Sequence, residues 1–374
     1  MFRIVYDVTT PMSSPPEPLV ELNAPVLSVR DLRVQFRTDR GTLKAADGVS
    51  FDLGKNEVIG IVGESGSGKT VTALSVLALL PTTAKATGEV LYGERNLLGL
   101  KEPEIRAIRG KDIAMVFQDA LAALNPLHRV GNQISEAITV HNPKAPRKEV
   151  KARVLELLGL VGIPNPKERA NEYPHEYSGG MRQRAMIAMA IANDPQILIA
   201  DEPTTALDVT TQAQVLEVLQ RVRERTGSAM IIITHDLGVV AGVADRILVM
   251  YAGRIVESGT VDDVFHRPSH PYTLGLLASL PRLDREGGRR LPRIAGQPPS
   301  LVDVPSGCSF HPRCPFAKLP EPCSADDPQL LPTVTANHLS ACHFSDEVAR
   351  AEPGDRAWDV EVVESGGGSV TPAP

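Results

Sequence analysis

The chain has 374 residues, 42% of them hydrophobic and 22% charged, with a formal net charge of -6. That length supports one large domain or two smaller ones with real cores, in an ordinary globular composition. The acidic balance argues against a general basic surface for nucleic acid, and no apolar run approaches the roughly 20 residues that cross a bilayer.

Residues 1–24 are rich in Pro, Ser and Thr and read as a disordered leader, in which Met12 is an alternative start. Arg3 and Asp7 interrupt its apolar residues. No secretory signal is therefore expected, and the chain is expected to stay in the cytosol. From Val26, VLSVRDLRVQF alternates apolar and polar residues, the pattern of a half-buried strand. GVSFDL continues in the same style, so an antiparallel β element opens the fold. EVIGIVG reads as a buried strand, and GKTVTALSVLALL as a helix closed by Pro81.

DIAMVFQ supplies another strand, after which VGNQISEAITV and RKEVKARVLELLGLVG carry apolar residues at helical spacing. SGGMRQRAMIAMAIA is a further helix with Ser178 at its start. The strands QILIADEP, AMIIITHD and RILVMYAGRIVESG then alternate with the helix TTQAQVLEVLQRVRER, which predicts a largely parallel α/β sheet. From Arg267 onward Pro and Gly become frequent and the periodicity fades. Residues 346–374 are acidic, then rich in Gly, Ser and Pro, and read as a disordered tail.

GESGSGKT, residues 63–70, fits G-x-x-x-x-G-K-[ST] between a predicted strand and a predicted helix. Gly63, Gly66 and Gly68 let backbone N–H groups of the loop approach phosphate oxygens, with Glu64, Ser65 and Ser67 also expected to bind the nucleotide, and the helix N-terminus adds positive potential. Lys69 reaches the β- and γ-phosphates, while Thr70 offers a hydroxyl to Mg²⁺. ILIADE ends a strand in two carboxylates, Asp201 for the Mg²⁺ shell and Glu202 to polarise an attacking water. Ser178, Gly179 and Gly180 form a second anion-binding helix start. Two phosphate-binding helix ends with one such loop point to a composite site.

The order of this loop, Gln118, SGGMRQR, DEPTTALD and His235 resembles the ATP-binding subunit of an ABC transporter, over residues 26 to about 260. The resemblance implies an α/β P-loop ABC ATPase with a RecA-like parallel sheet core. An antiparallel β subdomain, a helical subdomain and a small irregular cysteine-containing extension complete the implied fold. It implies a head-to-tail dimer with a second ATPase subunit, a paralogue or itself. Ser178, Gly179 and Gly180 would then meet the γ-phosphate bound by the partner. By the same resemblance Gln118 joins Thr70 and Asp201 around Mg²⁺ and links the nucleotide to the membrane partner. Asp208 lies in the loop facing the other subunit, His235 contacts the γ-phosphate, and Phe36 stacks on adenine. Taken alone, His235 is more often structural, and an alternating strand often buries a Phe.

QDALAALNPLHRVGNQISEAI (118–138), HRPSHPYTLGLLASLPRL (266–283) and IAGQPPSLVDVPSGCSFHPRC (294–314) resemble the oligopeptide/dipeptide permease branch. That branch implies two transmembrane permease subunits, an extracytoplasmic substrate-binding protein and a peripheral site on the cytoplasmic face of the inner membrane. Nickel and glutathione importers share the branch. A soluble ABC ATPase acting on ribosomes or DNA is the reading from another class. It generally needs two cores or a large insertion, for which this chain has no room. The implied division is 25–265 for the ATPase domain, with a helical subdomain at about 119–177, and 266–345 for the extension.

All four cysteines, Cys308, Cys314, Cys323 and Cys342, fall in that extension. There is no C-x-x-C pair, so the strongest zinc spacing is missing, and a cytosolic chain makes a stable disulfide framework unexpected. Four thiolates on irregular chain suit a [4Fe–4S] cluster or a tetrahedral zinc, with His311, His338 and His343 as substitute ligands. Four unpaired thiols are the bland alternative. The resemblance implies the iron–sulfur cluster.

Overall fold

The structure, a computed structural model, describes residues 24–205, 207–280 and 293–351. The expected leader and most of the expected tail lie outside the described residues. Strands β1 (Leu27–Thr38) and β2 (Gly41–Leu53) pair antiparallel and precede β3 (Val58–Val62) and helix α1 (Lys69–Val76). Next come β4 (Ala84–Tyr92), β5 (Arg95–Asn96), α2 (Glu102–Ile108), β6 (Ile113–Val116) and α3 (Ala120–Ala123). Helices α4 (Val130–His141), α5 (Arg147–Leu160), α6 (Pro166–Arg169) and α7 (Gly179–Ala190) follow. The core continues with β7 (Ile197–Asp201), α8 (Val209–Thr226), β8 (Ala229–Thr234) and α9 (Leu237–Ala241). Then come β9 (Arg246–Tyr251), β10 (Arg254–Thr260), α10 (Val261–His266) and α11 (Pro271–Ala278). Short strands β11 (Leu331–Pro332) and β12 (Leu339–Ser340) and helix α12 (Ser345–Val348) close the described chain.

Two sheets result. One is antiparallel, ordered β2-β1-β4-β5, and the other is mixed, ordered β11-β12-β10-β9-β3-β8-β7-β6. The run from β9 to β6 is parallel. Its central strands β3, β7 and β8 are buried at every position because both faces are covered. In β3, Val58 and Val62 enter the core shared with α4, α5, α7 and α8. Ile59 and Ile61 enter the other core, shared with α1 and the antiparallel sheet. Strand β3 is thus held from both sides, and the loop that follows it has a fixed root.

Four expectations need correction. The helix expected to run to Pro81 stops at Val76, because Ala78 takes a left-handed φ of 48° and Arg109 caps the Leu77 and Ala78 carbonyls at 2.7 and 2.8 Å. RILVMYAGRIVESG is not one strand of a parallel sheet. Ala252 and Gly253 both have positive φ, 47° and 81°, and turn it into the antiparallel hairpin β9–β10. The extension is also more integrated than its composition implies. Helix α11 is almost wholly buried, and β12 pairs with β10 to continue the core sheet. Helix α12 occupies Ser345–Val348, where the disordered tail was expected to begin at 346.

Candidate active site

The loop from Gly63 to Gly68 joins β3 to the N-terminus of α1, so its position follows from the clamped strand. Gly68 has φ 103°, and a Cβ there would stand 2.2 Å from the Ala45 carbonyl oxygen. Only glycine brings the loop this close to β2. The Gly253 N–H, from the β9–β10 turn, donates to the Ser67 carbonyl at 2.9 Å. Ser67 Oγ is buried and has no hydrogen-bond partner among the described residues, which fits a loop built to receive an oxyanion.

Lys69 is buried and its ammonium donates to the carbonyls of Gly63 and Glu64 at 2.7 and 2.9 Å. Burial pulls its pKa down, while Glu202, Asp201 and Glu64 resist that pull. Thr70 Oγ1 donates to Asp201 Oδ1 at 3.1 Å. Asp201, 3% exposed at the tip of β7, has its pKa raised by burial, against the opposing bond from Thr70. A hydroxyl and a carboxylate meeting beside the loop are a fitting oxygen pair for Mg²⁺.

Glu202 follows with φ 46°, unusual for a residue with a Cβ, and its N–H donates to the Ile233 carbonyl at 2.8 Å. Strain of this kind concentrates at functional sites. Gln118 Nε2 and Thr205 Oγ1 donate to Glu202 Oε2 at 2.9 and 2.8 Å, and His235 Nδ1 stands 3.5 Å from Oε1. Lys69, Thr70, Gln118, Asp201, Glu202 and His235 therefore come from four separate stretches to one place.

The other predicted residues stand apart from it. Ser178 Oγ accepts from the Met181 N–H at 3.3 Å as the N-cap of α7. Asp208 caps α8, accepting from the Thr211 N–H and hydroxyl at 3.0 and 2.7 Å, bonds that lower its pKa. Gly180 packs on Thr211, so these two helix starts form a second group. Among the described residues no hydrogen bond or ion pair joins that group to the loop at 63–70. Phe36 lies half-buried in β1 beside Ala84 of β4.

Reasoning from sequence missed one contributor. Arg313, in the extension, forms a two-pronged ion pair with Glu64, Nη1 to Oε2 at 2.7 Å and Nη2 to Oε1 at 3.0 Å. Tyr272 Oη accepts from the Glu64 N–H at 2.7 Å. The only sequence signal was a lone arginine between two cysteines.

The four thiols carry no disulfide. Burial pushes Cys314 and Cys342 up to about 12 and raises Cys308, with neighbouring thiols adding to the rise in each case. The amides of Phe310, Phe316 and Phe344 oppose it at Cys308, Cys314 and Cys342 respectively. Among the described residues, however, no group of three or more Cys, His, Asp or Glu is arranged to hold a metal ion. The expectation of a ready ligand set is corrected to that extent. The histidine substitutes are engaged elsewhere: His338 with Glu257 at 2.7 Å, His311 with the Cys308 carbonyl at 2.9 Å, and His343 with the Asp326 carbonyl at 3.0 Å. Among the described residues no helix is long and apolar enough to cross a membrane.

The ABC transporter family matches residues 46–205, and the oligopeptide/dipeptide transporter C-terminal region matches residues 256–323. The dipeptide transport ATP-binding protein DppD of Bacillus subtilis is 55% identical over 292 residues, covering 78% of this chain and 87% of its own. The oligopeptide transport ATP-binding protein OppD of Mycobacterium tuberculosis is 52% identical over 319 residues, covering 85% of this chain. The chain spans about half the length of that relative, 52%. Among solved structures, the ATP-binding cassette MJ0796, a dimer bound to ADP and Pi, has a TM-score of 0.57 at 27% identity. It covers 63% of this chain and 98% of that one.

Proposed function

The chain belongs to the ABC transporter family, in its oligopeptide/dipeptide branch, and from that premise we propose that it binds and hydrolyses ATP to power peptide import through separate transmembrane subunits. The observation that carries the proposal is the meeting of Thr70 with Asp201, and of Gln118 and His235 with Glu202, at the N-terminus of α1. The loop amides and Lys69 bind the phosphates, and Thr70 and Asp201 hold Mg²⁺, which shields phosphate charge. Glu202 orients and polarises the attacking water, Gln118 fixes the Glu202 carboxylate, and His235 adds a donor toward the γ-phosphate. Phe36 supplies a face for the adenine.

The second group, Ser178 to Gly180 with Asp208, completes the site of a partner ATPase in a head-to-tail dimer. That arrangement explains why two phosphate-binding helix ends in one chain do not meet. Phe117, Leu121, Leu127 and Val140, 42%, 61%, 81% and 64% exposed, offer apolar side chains to the permease subunits at the cytoplasmic face of the membrane. The division into an ATPase domain at 25–265, with a helical subdomain at about 119–177, and an extension at 266–345 belongs to the same proposal. So does an extracytoplasmic binding protein that supplies the peptide.

The finer proposal for the extension is a [4Fe–4S] cluster on Cys308, Cys314, Cys323 and Cys342. Its support is the chemistry of the donors: four free thiols, of which Cys308, Cys314 and Cys342 are raised in pKa by burial and by neighbouring thiols, with backbone amides directed at those three sulfurs. A bound cluster would fix Pro-rich chain and hold the thiols deprotonated.

The test is ATP turnover by the complex purified from membranes with its permease subunits. Glu202→Gln is expected to retain ATP binding while turnover falls at least about 100-fold; sustained hydrolysis would refute the role. Protein prepared without oxygen is expected to be brown and absorb near roughly 400 nm. Colourless protein with stoichiometric zinc would overturn the iron assignment.

A further inference from the structure

Glu64, second residue of the 63–70 loop, is held from three sides. Its N–H reaches Tyr272 Oη at 2.7 Å, its carbonyl accepts from Lys69 Nζ at 2.9 Å, and its carboxylate takes both prongs of Arg313. Two of these three partners lie beyond the ATPase core as the sequence divides it. Arg313 is itself tightly held. Its side chain is 5% exposed, its Nε donates to the Ala295 carbonyl at 2.9 Å, and its guanidinium lies 5.8 Å from the Tyr251 ring centroid and 5.9 Å from that of Phe310. Tyr251, Tyr272 and Phe310 pack edge-on and tilted into one buried wall, with centroid separations of 4.7, 5.2 and 5.5 Å. That wall fixes where the guanidinium points.

A carboxylate in a phosphate-binding loop is an electrostatic liability, since it repels the polyanion the loop must receive. A planar guanidinium cancels that charge and fixes the carboxylate in orientation through two parallel bonds, which a lysine cannot do. An arginine that only fastened the extension would serve equally well on any surface acid. This one reaches an acid inside the loop.

We propose that Arg313 is a positioning residue of the nucleotide site. It neutralises and orients Glu64, so that the loop offers its amides rather than a free carboxylate to the phosphates, and through it the C-terminal extension governs nucleotide affinity. The affinity part rests on the ATP-binding reading given above; the hold on the loop does not.

Two measurements on the full chain separate the two. Hydrogen exchange of residues 58–70 without nucleotide reads the hold, and the ATP dissociation constant reads the consequence. Arg313→Gln is expected to speed exchange in the loop and weaken ATP about tenfold, less at high salt because the repulsion is screened. Adding Glu64→Gln to that variant is expected to recover ATP affinity to within about threefold of wild type, because the uncompensated charge is gone. A purely structural arginine would give no such recovery. Wild-type exchange and affinity in Arg313→Gln, or a loss that persists in the double variant, would overturn the proposal. Should Arg313→Gln fail to fold, Arg313→Lys carries the comparison, with faster loop exchange expected and wild-type exchange refuting. If the wild-type chain bound no ATP, the function reading would fail, and loop exchange alone would still decide the hold.

Discussion

Replacing Gly180 by alanine tests the packing of the second phosphate-binding helix start. Gly180 is the second residue of α7 with ordinary helical backbone, so two effects oppose each other. Removing a helical glycine normally stabilises by about 1 kcal/mol. The new Cβ, however, would stand 2.5 Å from Thr211 Cγ2 at the start of α8, where ordinary contact begins at 3.4 Å. The helix starts must then part by about 0.9 Å, or Thr211 must rotate. Rotation is resisted because Thr211 Oγ1 donates to Asp208 Oδ2 at 2.7 Å. Overpacking of this kind costs about 1–3 kcal/mol, so the net effect is expected to be destabilising, with a fall of roughly 1–4 °C in Tm before the helix gain is subtracted, at about 2.1 cal/mol/K of unfolding entropy per residue. Adding Thr211→Ser removes the clashing methyl and keeps the hydroxyl. That double variant is expected to melt at or above the wild type. Thermal unfolding followed by circular dichroism reads both. A higher Tm for Gly180→Ala alone would refute the contact, because then only the propensity gain operates.

Two further outcomes concern the junction between extension and core. His270 is buried, accepts the Tyr272 N–H at 3.1 Å, and is pushed down to about 3 by burial. The unfolded chain therefore protonates this site first as pH falls, so its stability contribution is present above about pH 6.5 and is lost toward pH 3. Between pH 6.5 and 5 the loss is about 2 kcal/mol. His270→Asn keeps a capping acceptor and is expected to flatten that slope in denaturant titrations; an unchanged slope would refute it. His338→Phe removes the buried partner of Glu257, leaving its carboxylate, among the described residues, with only the Ser269 and His270 amides, at 2.7 and 3.1 Å. A loss of about 3 kcal/mol or more is expected in unfolding free energy from denaturant titration, and a loss under about 1 kcal/mol would show the pair to be dispensable.

What was legible in the sequence was local. The strand before the 63–70 loop, the loop and its helix are contiguous, and each announces itself by period or motif. Asp201, Glu202 and His235 sit at the ends of apolar runs, where parallel strands present them. Strand β4 was overlooked because Gly88 interrupts its alternation, and the β9–β10 hairpin because Ala252 stands where Asn or Asp is usual. Strands β11 and β12 are two residues each, too short to carry a period. The ion pair of Glu64 with Arg313 spans 249 positions, and only the tertiary fold makes it visible.

That separation also sets an order of events during synthesis. The 63–70 loop leaves the ribosome 249 residues ahead of the arginine that holds it, an interval of about 12 to 50 s at ordinary elongation rates. Strand β3 gains its sheet partners β8 and β9 once Tyr251 has been made, still before the last constraint on its loop exists. A nascent or prematurely ended chain therefore carries an apparently complete ATP-binding motif whose Glu64 is still unpaired, and its nucleotide site becomes mature only when translation has passed Arg313.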